Sequence, residues 1–178
     1  LTAVAEVLML FDFPLPFAPS FYKIDLSEVP ILIGCFAMGP AAGIIIEAMK
    51  ILLNFIISGT VTAGVGELAN FAIGCSMVLP AGLIYRYHKT RKNAVLGMAA
   101  GTLVMAAIGG LLNAFVLLPA YAALFGGMDA IIGMGTAVNK NITSVQSFVL
   151  LSVVPFNLVK GVIVSLVTFL LYKHVSRY

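Results

Sequence analysis

Charge is what this sequence has least of. Ten Lys/Arg and seven Asp/Glu make up 10% of its 178 residues, while 61% are hydrophobic and the mean hydropathy is +1.10. Soluble domains carry about 25% charge and roughly 45–50% apolar residues, so the chain lacks the polar side chains to coat a water-soluble globule. Tryptophan is absent, and histidine and cysteine occur twice each. Cys35 and Cys75 both lie in apolar runs, where a free thiol acts as a small hydrophobe. His88 and His174 flank basic segments, and no H-E-x-x-H spacing exists to hold a metal. There is no G-x-x-x-x-G-K-[ST] loop for ATP and no serine in a nucleophile elbow. These absences exclude ATP binding by a P-loop and the nucleophile-elbow and H-E-x-x-H hydrolase designs.

What is present is apolar sequence in long runs. At about 20 residues per span, the chain has room for about six helices and no separate soluble domain. The expectation is an all-α integral membrane protein, one transmembrane domain over residues 1–178, with six helices in one bundle at about 1–13, 28–38, 41–57, 67–85, 94–118 and 148–172. The first run begins with neither Met nor a basic flank and is read as part of a longer helix. Pro14 and Pro16, Gly39-Pro40, the glycine-rich turn after Ser58, and Pro119 punctuate the runs. Residues 17–27 and 121–147 are read as outer connecting loops and candidate lids.

The net charge of +3 does not signal nucleic acid, because the basic residues are clustered. Arg86, Lys89, Arg91 and Lys92 sit between two apolar runs, and Lys173 and Arg177 close the chain. That is the positive-inside pattern. With six spans, the cluster and both termini are cytoplasmic; five spans would put cluster and tail on opposite faces. Gly39/Gly43 and Gly97/Gly101, each four apart, mark faces where helix backbones can approach closely.

Ionisable groups inside a span cost at least about 2.5–3.5 kcal/mol and so mark partners or function. Here they are Glu47, Lys50, Glu67 and Lys160, accompanied by Asn54, Asn70, Asn113 and Asn157. Lys50/Asn54, Glu67/Asn70 and Asn157/Lys160 are three or four apart and share a helix face. From the ~1.5 Å rise per residue, Lys50 lies about 10 Å and Asn113 about 9 Å below the outer end of their helices, with Asn157 and Lys160 roughly 14–18 Å below Phe148. The polar set thus favours the outer half, with Glu47 the inward exception, and describes an outward-facing cavity rather than a continuous ion path. Phe55, Phe71, Phe115, Tyr121, Phe148 and Phe156 lie at similar depth. The competing readings are mutual pairing, as Glu47 with Lys50 or Glu67 with a lysine, and a small intramembrane enzyme using Glu67 or Lys50. Pro119 and Pro155 are expected to end or kink helices beside this region.

The segments FPLPFAPSFYKIDLSEVP, GPAAGIIIEAMKILLN, GTVTAGVGELANFAIGC, NAFVLLPAY and PFNLVKG, in this order, resemble the riboflavin-specific S component of energy-coupling-factor (ECF) ABC transporters. The resemblance implies a six-helix, multi-pass subunit of the plasma membrane that captures riboflavin from outside. It also implies partners: a transmembrane coupling subunit and two cytoplasmic ATPases, which would explain the missing ATP site. Riboflavin would be cargo, and no cofactor is implied. The positions matching the family's ligand contacts are Lys50, Glu67, Asn70, Asn113, Asn157 and Lys160, and Thr60, Tyr121 and Phe156 complete the expected set. An S component for FMN or another vitamin would share the architecture. One departure concerns docking: the family's A-x-x-x-A pattern is missing from the first helix, where only Ala3 and Ala5 occur.

Overall fold

Apolar runs bounded by glycine and proline become helices in the computed structural model, which describes residues 1–175; Arg177 of the expected basic tail lies outside them. The fold is 79% helical, and among the described residues there are seven helices. They are α1 (Thr2–Leu10), α2 (Glu28–Met38), α3 (Pro40–Ser58), α4 (Val65–Tyr87), α5 (Arg91–Phe125), α6 (Met128–Val138) and α7 (Val145–Lys173). Phe13–Pro14 and Lys23–Ile24 pair as a short antiparallel ladder, Phe13 opposite Ile24.

Four helices, α3, α4, α5 and α7, are long and apolar enough to cross a bilayer. The expected six full-length spans are not all seen. α2 and α6 have 11 residues each, about 16 Å of helix against a hydrocarbon core of about 30 Å. The first run stops at Leu10, because the chain turns into the ladder before Pro14.

Pro119 does not end its helix, contrary to the sequence expectation. A wide π turn over Asn113–Leu117 precedes it, in which the Leu118 N–H donates to the Asn113 carbonyl five residues back. The looser turn absorbs the missing proline donor, and α5 continues to Phe125. α7 repeats the device: a π turn over Val149–Val153 precedes Pro155, with the Val154 N–H on the Val149 carbonyl. The long loop expected at 121–147 is also largely helical. Gly126 and Gly127, at φ of 92° and 118°, reverse the chain into α6, and a Ser144–Ser147 capping box starts α7.

α4 lies between α3 and α5, α5 packs on α7, and α2 touches α3, α4 and α7. A Cβ on Gly97 would lie 2.7 Å from the Ala81 carbonyl oxygen, and one on Gly101 2.4 Å from that of Met77. The Gly97/Gly101 pair therefore forms a backbone-to-backbone seam between α5 and α4. A Cβ on Gly43 would meet Val78 and Cys35, whereas Gly39, at φ 104°, is the hinge of the α2–α3 turn, and a Cβ there would meet nothing within 4 Å. Gly101→Val is expected to destabilise the bundle by roughly 1–3 kcal/mol, since the backbone it meets cannot give way. Gly133→Ala, in open space on α6, serves as the control. Equal melting temperatures for the two variants in detergent would show that the seam is not tight.

Two apolar cores result. One joins α2, α4, α5 and α7 through Leu32, Phe36, Met77, Ala81, Met98 and Val164. The other gathers Tyr22, Ile24, Leu118, Ile131, Phe148 and Phe156 from the first loop, the far end of α5, α6 and the start of α7.

Candidate functional site

Between these cores lies a cluster of buried charge. Lys50 of α3 is fully buried, with its Nζ 2.9 Å from Glu47 Oε1, 3.1 Å from Glu28 Oε1 and 3.3 Å from Ser27 Oγ. Lys160 of α7 is 3.3 Å from Asp25 Oδ2 and 3.9 Å from Glu28 Oε1. Three carboxyl groups thus face two ammonium groups. A Cβ at position 74 would sit 2.3 Å from Glu47 Oε1, so Gly74 on α4 makes the room for that carboxylate. Burial works to raise the Asp25 carboxyl, but attraction to Lys160 and then Lys50, with hydrogen bonding from Ser27, outweighs it. Asp25 is held below the ordinary carboxylate range. The cluster ties the first loop and the start of α2 to α3 and α7.

Beside it the first loop reaches into the bundle. The Tyr22 hydroxyl donates to Asn113 Oδ1, and its ring lies 5.4 Å from that of Phe156 and 6.2 Å from that of Phe148. Asn113 and Asn157 each donate to the carbonyl four residues back, Gly109 at 2.7 Å and Val153 at 3.0 Å. A Cβ on Gly109 would meet Asn157 Nδ2 at 2.6 Å, so the two asparagines flank that glycine. Asn157 Oδ1 accepts no hydrogen bond among the described residues. Phe21 stacks at 6.4 Å on Phe148 and tilts against Tyr121 at 5.4 Å. Asn113 begins one π turn, and Asn157 follows the other by four residues. Such turns re-aim side chains and are frequent at functional sites.

Five of the expected residues therefore converge, namely Lys50, Asn113, Asn157, Lys160 and Phe156, and Tyr121 joins through Phe21. Glu67 and Thr60 stand apart. They hydrogen-bond each other at 3.0 Å where α3 turns into α4, and Glu67 borders an apolar groove of about 360 Å³ with Phe55, Leu68 and Phe71. Asn70, one turn further along α4, makes no hydrogen bond among the described residues. The pairing of Glu47 with Lys50 is present, whereas Glu67 pairs with a threonine and not a lysine. Tyr22, Asp25, Ser27 and Glu28 were not among the expected site residues, since 17–27 read as an outer loop and candidate lid and Glu28 as the start of the 28–38 helix; Ala18, Tyr22 and Ile24 of the loop are buried. The IDLSEVP stretch that carries the family resemblance includes three of these four residues.

The comparisons agree with this architecture. A family model described as "ECF transporter, substrate-specific component" matches residues 1–172. The chain is 35% identical to the riboflavin transporter RibU of Staphylococcus aureus, covering 100% of this chain and 87% of that one. It is 33% identical to the riboflavin transporter FmnP of Bacillus subtilis, over 97% and 86% of the two chains. A solved structure of the S component of a bacterial ECF transporter superimposes with a TM-score of 0.77 at 36% identity, over 99% of this chain and 90% of that one. Neither Lys50, locked in an ion cluster, nor Glu67, held by Thr60, is arranged as a catalytic group, and the family is one of transport subunits. The chain belongs to the substrate-specific components of ECF transporters.

Proposed function

We infer that this chain captures riboflavin at the outer face of the plasma membrane and passes it on through a coupling subunit powered by two cytoplasmic ATPases. The observation that carries the reading is its full-length similarity to relatives named as riboflavin transporters. The site supports it chemically. Riboflavin is a flat aromatic with hydrogen-bonding edges and a polyol tail, and such ligands need apolar walls with a few placed polar groups. Phe148, Phe156 and Tyr121 supply the walls; Asn113, Asn157, Lys160 and Lys50 supply the polar groups, with the free Oδ1 of Asn157 ready to accept a hydroxyl. Glu67, Thr60 and Asn70, apart from this cluster, are assigned on the family resemblance to the ligand's outer end. Residues 17–27 act as the lid, because Tyr22 reaches Asn113 across the site, and residues 121–147 cap the same end of the bundle.

FMN is the second reading. Three carboxyl groups against two lysines would repel its phosphate dianion, which favours the neutral vitamin. The placement of the basic residues supports cytoplasmic termini, and six crossings would follow if α1 and α2 complete their spans as part of the bundle.

Purified protein stripped of flavin is expected to quench added riboflavin fluorescence in a saturable, one-to-one titration. Arg91→Ala, in the basic cluster, is expected to titrate like the parent protein. Absence of saturable quenching would sink the riboflavin reading.

A further inference from the structure

At the opposite end of the molecule from the ion cluster, the α2–α3 turn and the end of α4 enclose a recess of about 460 Å³. Met38 and Pro40 give it an apolar side, Arg86 and Lys89 stand at its edge, and its accessible surface is more polar than apolar. Both cations are exposed, and neither has a carboxylate partner among the described residues. Six of the seven acidic side chains are committed elsewhere: Asp12 to Lys23, Glu6 to Asn54, Glu67 to Thr60, and Asp25, Glu28 and Glu47 to the central cluster; the seventh, Asp129, stands in the first turn of α6 and does not line the recess. The recess also opens where α4 ends and α3 begins, the depth at which a bilayer changes from hydrocarbon to headgroups. A pocket there with an apolar side at Met38 and Pro40 and two unneutralised cations on a largely polar surface is complementary to an anionic headgroup whose hydrocarbon continues into the bilayer.

We propose that this recess is a binding site for the headgroup of an anionic glycerophospholipid. Arg86 and Lys89 take the phosphodiester, and the glycerol and upper acyl carbons lie over Phe36, Met38 and Pro40. Basic residues near the membrane surface and basic pockets between transmembrane helices attract anionic lipid in this way. The α3 N-terminus adds to the attraction, since Pro40 occupies its first position and no side chain caps it. A zwitterionic headgroup would bring its own cation towards Arg86 and is disfavoured.

The test is native mass spectrometry of the full chain in a mild detergent, with phosphatidylglycerol and phosphatidylcholine of identical acyl chains. The parent protein is expected to retain phosphatidylglycerol selectively. Arg86→Gln with Lys89→Gln is expected to cut that retention by about thirtyfold, from the usual contribution of two basic residues near a membrane surface. Ala41→Phe, which fills the mouth of the recess without changing charge, is expected to lose the adduct as well. Arg91→Gln with Lys92→Gln, outside the recess, is expected to keep it. Unchanged melting of each variant in lipid-free detergent establishes that the fold survives. Equal retention of the two lipids, equal loss in both double variants, or stabilisation by inorganic phosphate to the same degree would each overturn the proposal. So would unaltered adducts in the Arg86/Lys89 variant accompanied by loss of co-purification with a coupling subunit, which would make the recess a protein contact.

Discussion

Replacing Lys50 with methionine is expected to destabilise the protein by about 3–5 kcal/mol, the usual result of breaking a buried ion pair from one side. The lysine is fully buried and within 3.3 Å of Glu47, Glu28 and Ser27, so it joins α3 to the start of α2. Without it, Glu47 loses its cation and Glu28 keeps only Lys160 at 3.9 Å, and Glu28 Oε2 and Glu47 Oε2 already lack hydrogen-bond donors. For a chain of this size the loss corresponds to a fall in melting temperature of about 6–20 °C. Adding Glu47→Leu to Lys50→Met is expected to recover part of it, because removing both partners of a buried pair is far cheaper than removing one. A melting temperature for Lys50→Met equal to that of the parent protein would mean the cluster is hydrated rather than buried.

Lys160→Ala is expected to weaken riboflavin binding by about 5- to 150-fold. Truncating one partner of a buried hydrogen bond leaves the other group unsatisfied, at about 1–3 kcal/mol, which converts to that range at 1.4 kcal/mol per decade. Lys160 stands where α7 meets the first loop, 3.3 Å from Asp25, one helical turn from Asn157. Asn157→Ala is expected to fall in the same range, because it removes the acceptor that no protein group uses. Fluorescence titration measures both. Affinities unchanged in the two variants would assign these side chains to holding the bundle together, with the ligand held elsewhere.

Lys50, Asn113, Asn157 and Lys160 were legible in amino-acid order as a polar set, because the cost of a polar side chain in hydrocarbon is visible wherever the run around it is apolar, and they lie near one another in the fold; Glu67, legible in the same way, stands apart beside Thr60. Asp25 and Glu28 gave no such signal, since they stand at the edge of a run, where a charge costs little. Their partner is remote, since Lys160 is 135 positions from Asp25, and no local periodicity reports such a pairing. Helix ends set by Gly39-Pro40 and by the basic cluster were legible as breaks in hydropathy. The continuation through Pro119 was not, because a π turn leaves no mark on composition; it is a choice of hydrogen-bond register made once the helix packs. The helix at 128–138 was hidden by its glycines, two of which, Gly133 and Gly135, lie inside it.

The glycine seam between α4 and α5 sets where this molecule can change shape. Along Gly97 and Gly101 backbone meets backbone, so no side chain is available there to switch rotamer and let one helix slip past the other. The first loop, by contrast, is fastened to the bundle by the ends of side chains, Tyr22 on Asn113 and Asp25 on Lys160, each of which can be exchanged for a ligand's own polar groups. α4 and α5 are therefore the fixed coordinate frame of the protein, against which the travel of every other segment during a transport cycle is to be measured.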